Sequence, residues 1–416
     1  MLEFLNNFYV ATIIKSAIII AVLLTAFAYM TLIERRVVAK LQGRLGPNRA
    51  GPFGFLQPLA DALKMAFKEQ IVPTQARKLI YLIAPVISVV IALSAFAVVP
   101  FGAVDPKNPN SPWGPVIADI NVGLLWILSI SSLAVYGIVL GGWSSGNRYS
   151  LLGSLRSAAQ MVSYETSLGL ALAGVLMWTS TLSLVGIVHY QIQNFWLIVV
   201  QPLGFFLYLI AGTAEVNRAP FDLPEAEQEL TAGYLTEYSG LRWSLYQMAE
   251  YINMITVSAV VTTLYLGGWT FFGLERIPFL GFVFFVIKVA IFLFLFIWLR
   301  ATLPRIRYDR LMRLGWQVLL PLSALNAVIA AVCVTLESQF NLPWMWVVNL
   351  VVSLLIIAIV FFVLRQKSII EKTRFVEKAA QGAADLPASV RLVKFEATTT
   401  NGTTEAAAEE AKAAQA

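Results

Sequence analysis

Residues 214–251 read AEVNRAPFDLPEAEQELTAGYLTEYSGLRWSLYQMAEY. The segment lies between two apolar runs. It holds Glu215, Asp222, Glu225, Glu227, Glu229, Glu237 and Glu250, against the cations Arg218 and Arg242. An acidic loop is ordinarily just solvated. Two of these carboxylates do not fit that reading, because Glu215 closes one apolar run and Glu250 lies inside the next. A carboxylate near lipid is costly unless it faces protein or water. The pattern therefore describes spanning helices whose ends carry acids for a reason.

Outward from this stretch, the chain is 416 residues long, 58% hydrophobic and 13% charged. An average globular chain is about 45–50% apolar and about 25% charged. The apolar runs are continuous and do not alternate, so the fold class is an all-α integral membrane protein and not a barrel. One Cys and one His exclude an iron–sulfur cluster, a bis-His haem or a Cys/His zinc site within the chain. Neither a Walker A sequence nor a dinucleotide fingerprint occurs. The formal charge of +6 reports topology and not nucleic-acid binding.

A helix of about 20 apolar residues crosses the hydrocarbon core. By that measure about nine transmembrane helices are expected, at 10–33, 79–101, 120–140, 158–178, 195–213, 244–266, 280–300, 316–336 and 344–364. The first is not a signal peptide, since Glu3 and no basic residue precedes it. Lys and Arg crowd one side of this arrangement, and the loops of the other side hold only Lys107 and Arg276. The bias places the N-terminus outside and the C-terminus in the cytoplasm. Residues 1–370 then form one polytopic domain with functional cytoplasmic loops at 34–78 and 214–243. Residues 371–416, rich in Ala, Glu, Thr and Lys, read as a disordered cytoplasmic tail.

The first cytoplasmic loop carries turn formers at Gly46-Pro47-Asn48 and Gly51-Pro52. After Pro58 a short helix is expected, with Leu59, Leu63, Ala66 and Phe67 on one side and Asp61, Lys64 and Lys68 on the other. It is too short and too charged to span, and it suits either the interface plane or a surface packed on the loop.

The third span contains Ser129, Ser131 and Ser132, and the fourth carries Gln160, Ser163, Tyr164 and Glu165. With a helix start near Ser157, Glu165 lies roughly 12 Å into it at 1.5 Å per residue. It is either a structural hydrogen-bonding group or a titrating one. His189 reads as an incidental loop residue, Cys333 as a small core residue, and Lys15 and Lys288 as snorkelling cations. Glu165, Glu215 and Glu250 fall at comparable depth on three helices, with Glu225 and Glu227 in the loop below. Carboxylates there can exchange protons near neutral pH. The outer halves of these spans hold no further acid, so the chain reads as half a proton path.

The segment 214–240, followed by MAEY, resembles the family of H subunits of NADH–quinone oxidoreductases, respiratory complex I, whose mitochondrial counterpart is subunit 1. ERRVVAKLQGRLGPNRAGPFGFLQPLADALK, the block from Ala118 to Glu165, and RATLPRIRYDRLMRLGWQ match the same family in the expected order. The resemblance implies a membrane subunit at the junction with a peripheral arm. Its partners would be the other subunits of the membrane arm and those of the peripheral arm, and FMN and iron–sulfur clusters would lie only in partner subunits. Quinone would be the substrate, with none bound covalently. Glu34, Arg35, Arg36, Asp61, Lys64 and Arg300 would line the quinone tunnel and its rim. Glu165, Glu215, Asp222, Glu225, Glu227 and Glu250 would form the proton-coupling acids, supported by Arg218, Glu229 and Glu237. The location implied is the bacterial inner membrane, with lipid as a further partner. Two alternatives are the membrane anchor of an energy-converting hydrogenase and a stand-alone ion transporter. The GPNR, NRAPFD and RYDRLM blocks and the lack of an internal repeat favour the quinone enzyme.

Overall fold

A computed structural model describes residues 8–103, 113–222, 231–271, 278–340, 342 and 344–384. Glu225, Glu227, Glu229, Lys107, Arg276 and residues 385–416 lie outside the described residues. The described secondary structure is helical. In hydrocarbon every backbone N–H and C=O must be satisfied within the segment, and continuous apolar runs answer that demand as helices.

In chain order the helices are α1 (Phe8–Leu41), α2 (Gln57–Phe67), α3 (Lys78–Ala95), α4 (Gly123–Ser144), α5 (Arg148–Thr179), α6 (Leu184–Gln193), α7 (Leu197–Val200), α8 (Pro202–Glu215), α9 (Leu241–Tyr265), α10 (Pro278–Thr302), α11 (Tyr308–Arg313), α12 (Leu320–Phe340) and α13 (Met345–Ala384). A π-helical turn, Leu314–Leu319, joins α11 to α12 into one rod. The chain divides into two units, Met1–Ile356 and Ile357–Ala416. The first contains the packed helices. The described part of the second is the continuation of α13.

Among the described residues, seven helices are long and apolar enough to cross a membrane. They correspond to seven of the nine expected spans. The remaining two are present but different in kind. The span expected at 195–213 is broken at Gln201-Pro202 into α7 and the 14-residue α8. The span expected at 244–266 is α9, whose residues 254–265 are all buried. A helix buried all round has no lipid face to keep apolar. It can therefore carry Thr256, Ser258, Thr262 and Thr263, whose hydroxyls donate to carbonyls one turn back. Around α9 pack α1, α2, α3, α6, α8 and α10.

Several expected boundaries move. Helix α1 continues to Leu41, so Glu34, Arg35 and Arg36 stand on a helix and not in a loop. Helix α5 begins at Arg148, capped by the Asn147 side chain, which puts Glu165 about 25 Å along its axis at 1.5 Å per residue. His189 belongs to α6, with its ring edge-on to Trp269 at 5.8 Å.

Lys15 and Lys288 do not snorkel. Lys15 is 8% exposed and donates to Gly114 O and to Val116 O at 2.5 Å. Lys288 is 7% exposed and donates to Leu266 O, Gly268 O and Thr270 O, where the chain leaves α9. Carbonyl cages turned inward replace the headgroup water that snorkelling would seek.

Candidate functional site

The junction after α8 is pinned before any acid is placed. Residues 216–221 form a tight turn in which Asn217 has φ 56° and Phe221 N donates to Arg218 O at 2.8 Å. Gln160, buried on α5, donates from Nε2 to Ala214 O and to Phe221 O, both at 2.8 Å. One amide thus holds both ends of the turn against α5 and aims Arg218 inward.

Arg218 meets Glu34 there. The two side chains are 6% and 8% exposed and lie 3.5 Å apart. Arg300, reaching from the end of α10, also donates to Glu34. Tyr251 Oη donates to the second carboxylate oxygen at 2.8 Å. The Arg218 guanidinium lies over the Tyr251 ring, 4.0 Å from its centroid. Burial opposes the Arg218 charge, but Glu34, Tyr251 and Glu250 together outweigh it, so its pKa stands above the ordinary arginine value. The cluster therefore holds a fixed positive charge beside Glu34.

Of the remaining rim residues, Arg35, Asp61 and Lys64 form a second cluster. Arg35 pairs with Asp61 at 2.7 Å, and Lys64 approaches the same carboxylate at 3.8 Å. Gln57 donates to Asp61 at 3.2 Å. The Arg35–Asp61 pair ties α2 to α1, and the other two contacts lie within α2. Arg36 lies apart from both clusters, donating to Pro47 O at 3.4 Å and resting over the Phe55 ring. No residue of α2 is buried, and Leu59, Leu63 and Phe67 are all at least half exposed. The apolar side expected for this helix is therefore turned away from its own chain.

The acids separate in space. Glu165 accepts a hydrogen bond from Ser132 on α4. Glu215 lines a cavity with Ser131, Tyr208 and Asn253. A second cavity holds Glu215 again, together with Asn217, Tyr234, Asn253 and Glu250. Glu250 accepts from Tyr234 Oη at 3.2 Å. A polar row thus runs Glu165–Ser132, Ser131–Glu215, Asn253, Glu250–Tyr234. Asp222 and Glu237 stand off this row. Asp222 approaches Arg305 at 3.9 Å, and Glu237 accepts from Asn147 Nδ2 at 2.7 Å, at the start of α5.

The second half of the acidic loop folds inward. Gly233, Tyr234, Leu235 and Tyr238 are buried against α3, α4, α5 and α9. Tyr81 stacks on Tyr238 at 4.3 Å, Tyr238 meets Tyr246 at 5.0 Å, and Tyr246 meets Tyr234 at 5.1 Å. The backbones of Gly153 and Gly233 touch, since a Cβ on Gly153 would stand 2.5 Å from Gly233 Cα. That approach lets Tyr234 reach Glu250.

Sequence reading passed over four members of this site: Gln160 as a clamp, Tyr251, Asn253 and Tyr234. The signal for two of them was available. Gln160 and Asn253 are amides inside apolar spans, and Asn253 lies one helical turn after Glu250, on the same face. Among the described residues no three of His, Cys, Asp and Glu are grouped to hold a metal ion.

The NADH dehydrogenase family model matches residues 14–331. The H subunit of the NADH-quinone oxidoreductase of Deinococcus radiodurans is 49% identical over 364 residues, covering 84% of this chain and 90% of that protein. NADH-quinone oxidoreductase subunit 8 of Thermus thermophilus is 52% identical over 324 residues, covering 78% of this chain and 87% of that protein. The H subunit from Protochlamydia amoebophila is 54% identical over 307 residues, covering 74% of this chain and 92% of that protein.

Proposed function

The chain belongs to the NADH dehydrogenase family, and from that premise we propose that it is the membrane subunit of a proton-translocating NADH–quinone oxidoreductase that admits quinone and couples its reduction to proton movement. It sits in the bacterial inner membrane with its N-terminus outside and its C-terminus in the cytoplasm. Partner subunits of the peripheral arm carry FMN and iron–sulfur clusters and deliver the electrons.

Helices α1, α2 and α9 frame the quinone entrance. Arg35, Arg36, Asp61 and Lys64 make its charged rim, with Glu34 and Arg300 behind it. The exposed apolar side of α2 suits contact with lipid or with a quinone tail. Quinone takes up two electrons and two protons to become quinol. Each electron that arrives before its proton adds negative charge near the rim, and nearby carboxylates shift their protonation in response.

One observation carries the coupling: Glu215, Glu250 and Asn217 line the same cavity, and the next residue, Arg218, pairs with Glu34 at 3.5 Å. A change of charge near the rim therefore reaches the acidic row through the turn that carries Asn217 and Arg218. Such a local electrostatic event is the kind that a switch reads out elsewhere.

Affinity purification on this chain from its native membrane tests the assignment. Flavin and iron–sulfur subunits should copurify, with NADH-dependent quinone reduction. Nickel in the purified complex would instead identify a hydrogenase anchor. Ion transport by the chain reconstituted alone would identify a free-standing transporter.

A further inference from the structure

The break between α7 and α8 gathers polar side chains that the acidic row does not use. Gln201 stands at the break, outside helical geometry at φ −129° and ψ 66°. Its Nε2 donates to Gly174 O on α5 at 3.0 Å. The carbonyl before it, Val200 O, accepts from Asn349 Nδ2 at 3.0 Å. With Nε2 committed to a carbonyl, the orientation of the Gln201 amide is set and Oε1 faces inward.

Gln201 Oε1 is buried without a hydrogen-bond partner in the protein, and so are Asn326 Nδ2 on α12 and Tyr265 Oη on α9. All three residues are at most 1% exposed. The three atoms converge. The point where a Cβ on Gly204 would stand is 3.2 Å from Asn326 Nδ2 and 3.3 Å from both Gln201 Oε1 and Tyr265 Oη. The corresponding point on Gly174 is 2.8 Å from Gln201 Oε1 and 2.9 Å from Asn326 Nδ2. Glycine on both facing helices keeps carbon out of this spot.

The set is one acceptor, one donor and one hydroxyl that can serve as either. A bare cation is refused by the Asn326 N–H and an anion by the Gln201 oxygen. A water molecule accepts from Asn326, donates to Gln201, and completes its shell on Tyr265. Three polar partners are what a buried water normally has. We propose that Gln201, Asn326 and Tyr265 form a binding site for one ordered water, locked into the helix break inside the spanning region. Tyr265 packs on Tyr208 with ring centroids 6.1 Å apart, and Tyr208 lines the cavity of Glu215. The water therefore lies one aromatic layer from the acidic cavity. The site uses none of the acids, so it stands or falls separately from the coupling reading.

Imaging of the assembled complex at a resolution that shows ordered water should place a density peak within hydrogen-bond reach of all three atoms. A direct Gln201 Oε1 to Asn326 Nδ2 bond, with no peak between them, would overturn the proposal. X-ray radiolytic labelling reads the same site independently, because radicals formed from a trapped water oxidise the adjacent ring. Tyr265 should label several-fold more than Tyr164, which is equally buried but donates to Leu311 O at 2.9 Å. Equal labelling in the native complex would sink the idea. Asn326→Leu should remove the excess at Tyr265, and an excess that survives it would assign the water elsewhere.

Discussion

Glu34 and Arg218 form a buried ion pair at 3.5 Å that joins the end of the first span to the turn after α8. Nothing in the sequence around either residue singles out the other as its partner. Their meeting brings the rim of the proposed tunnel beside the acidic row, because the preceding residue, Asn217, lines the cavity of Glu215 and Glu250.

Glu34→Gln should destabilise the assembled subunit by on the order of 3 kcal/mol, the usual cost of leaving a buried charge uncompensated. Arg300 is 36% exposed and can turn to water, whereas Arg218 cannot. Adding Arg218→Met should therefore recover part of the loss. Thermal unfolding of the purified single and double variants measures it, and strictly additive losses would mean that the two residues are not coupled.

Arg35→Ala removes an exposed pair with Asp61, worth at most about 1 kcal/mol, so the complex should still assemble. Quinone turnover should drop while NADH oxidation by a soluble acceptor stays near normal, since α2 loses its tie to α1. Equal loss of both activities would point to failed assembly and not to an altered entrance.

Glu165→Gln and Glu215→Gln keep size and most hydrogen bonding but remove titration. Each variant should assemble and oxidise NADH with an artificial acceptor. Quinone-linked turnover and proton pumping should fall together. Ser132→Ala should give a milder version of the Glu165 effect, since it removes a hydrogen bond and not the charge. Normal turnover with normal proton stoichiometry in an assembled Gln variant would take that residue out of the path.

Gly153→Ala should displace the loop that presents Tyr234. The added methyl would meet backbone atoms of Gly233, which cannot rotate away. A cost of about 1–3 kcal/mol is expected from overpacking. Limited proteolysis within 231–240 should quicken, and quinone turnover should fall with it. An unchanged cleavage rate would show that the loop does not depend on this contact.

A reporter fused after Lys378 should be active only as a cytoplasmic marker, as the Lys and Arg distribution requires. Activity on the other side of the membrane would reverse the orientation or remove the span at 344–364.

The membrane class and the nine apolar runs were legible in the sequence alone. Hydropathy is a one-dimensional quantity: a run of sufficient length must become a helix to satisfy its backbone, wherever that helix later sits. The polar blocks also carried enough identity to point to a family. What hydropathy does not contain is the arrangement of helices in the plane of the membrane, because lipid tails and neighbouring helices are equally apolar. Tertiary structure alone decided that α9 is buried all round over residues 254–265 and that the fifth run breaks at Gln201-Pro202. It decided that Lys15 and Lys288 turn inward to carbonyls. It also sorted the carboxylates by which neighbour could offset their burial. Glu34 went to two arginines, Glu165 to Ser132, Glu250 to Tyr234 and Glu237 to Asn147 at a helix start. A buried charge is tolerated only where donors from distant segments converge on it, and that convergence exists only in the folded chain.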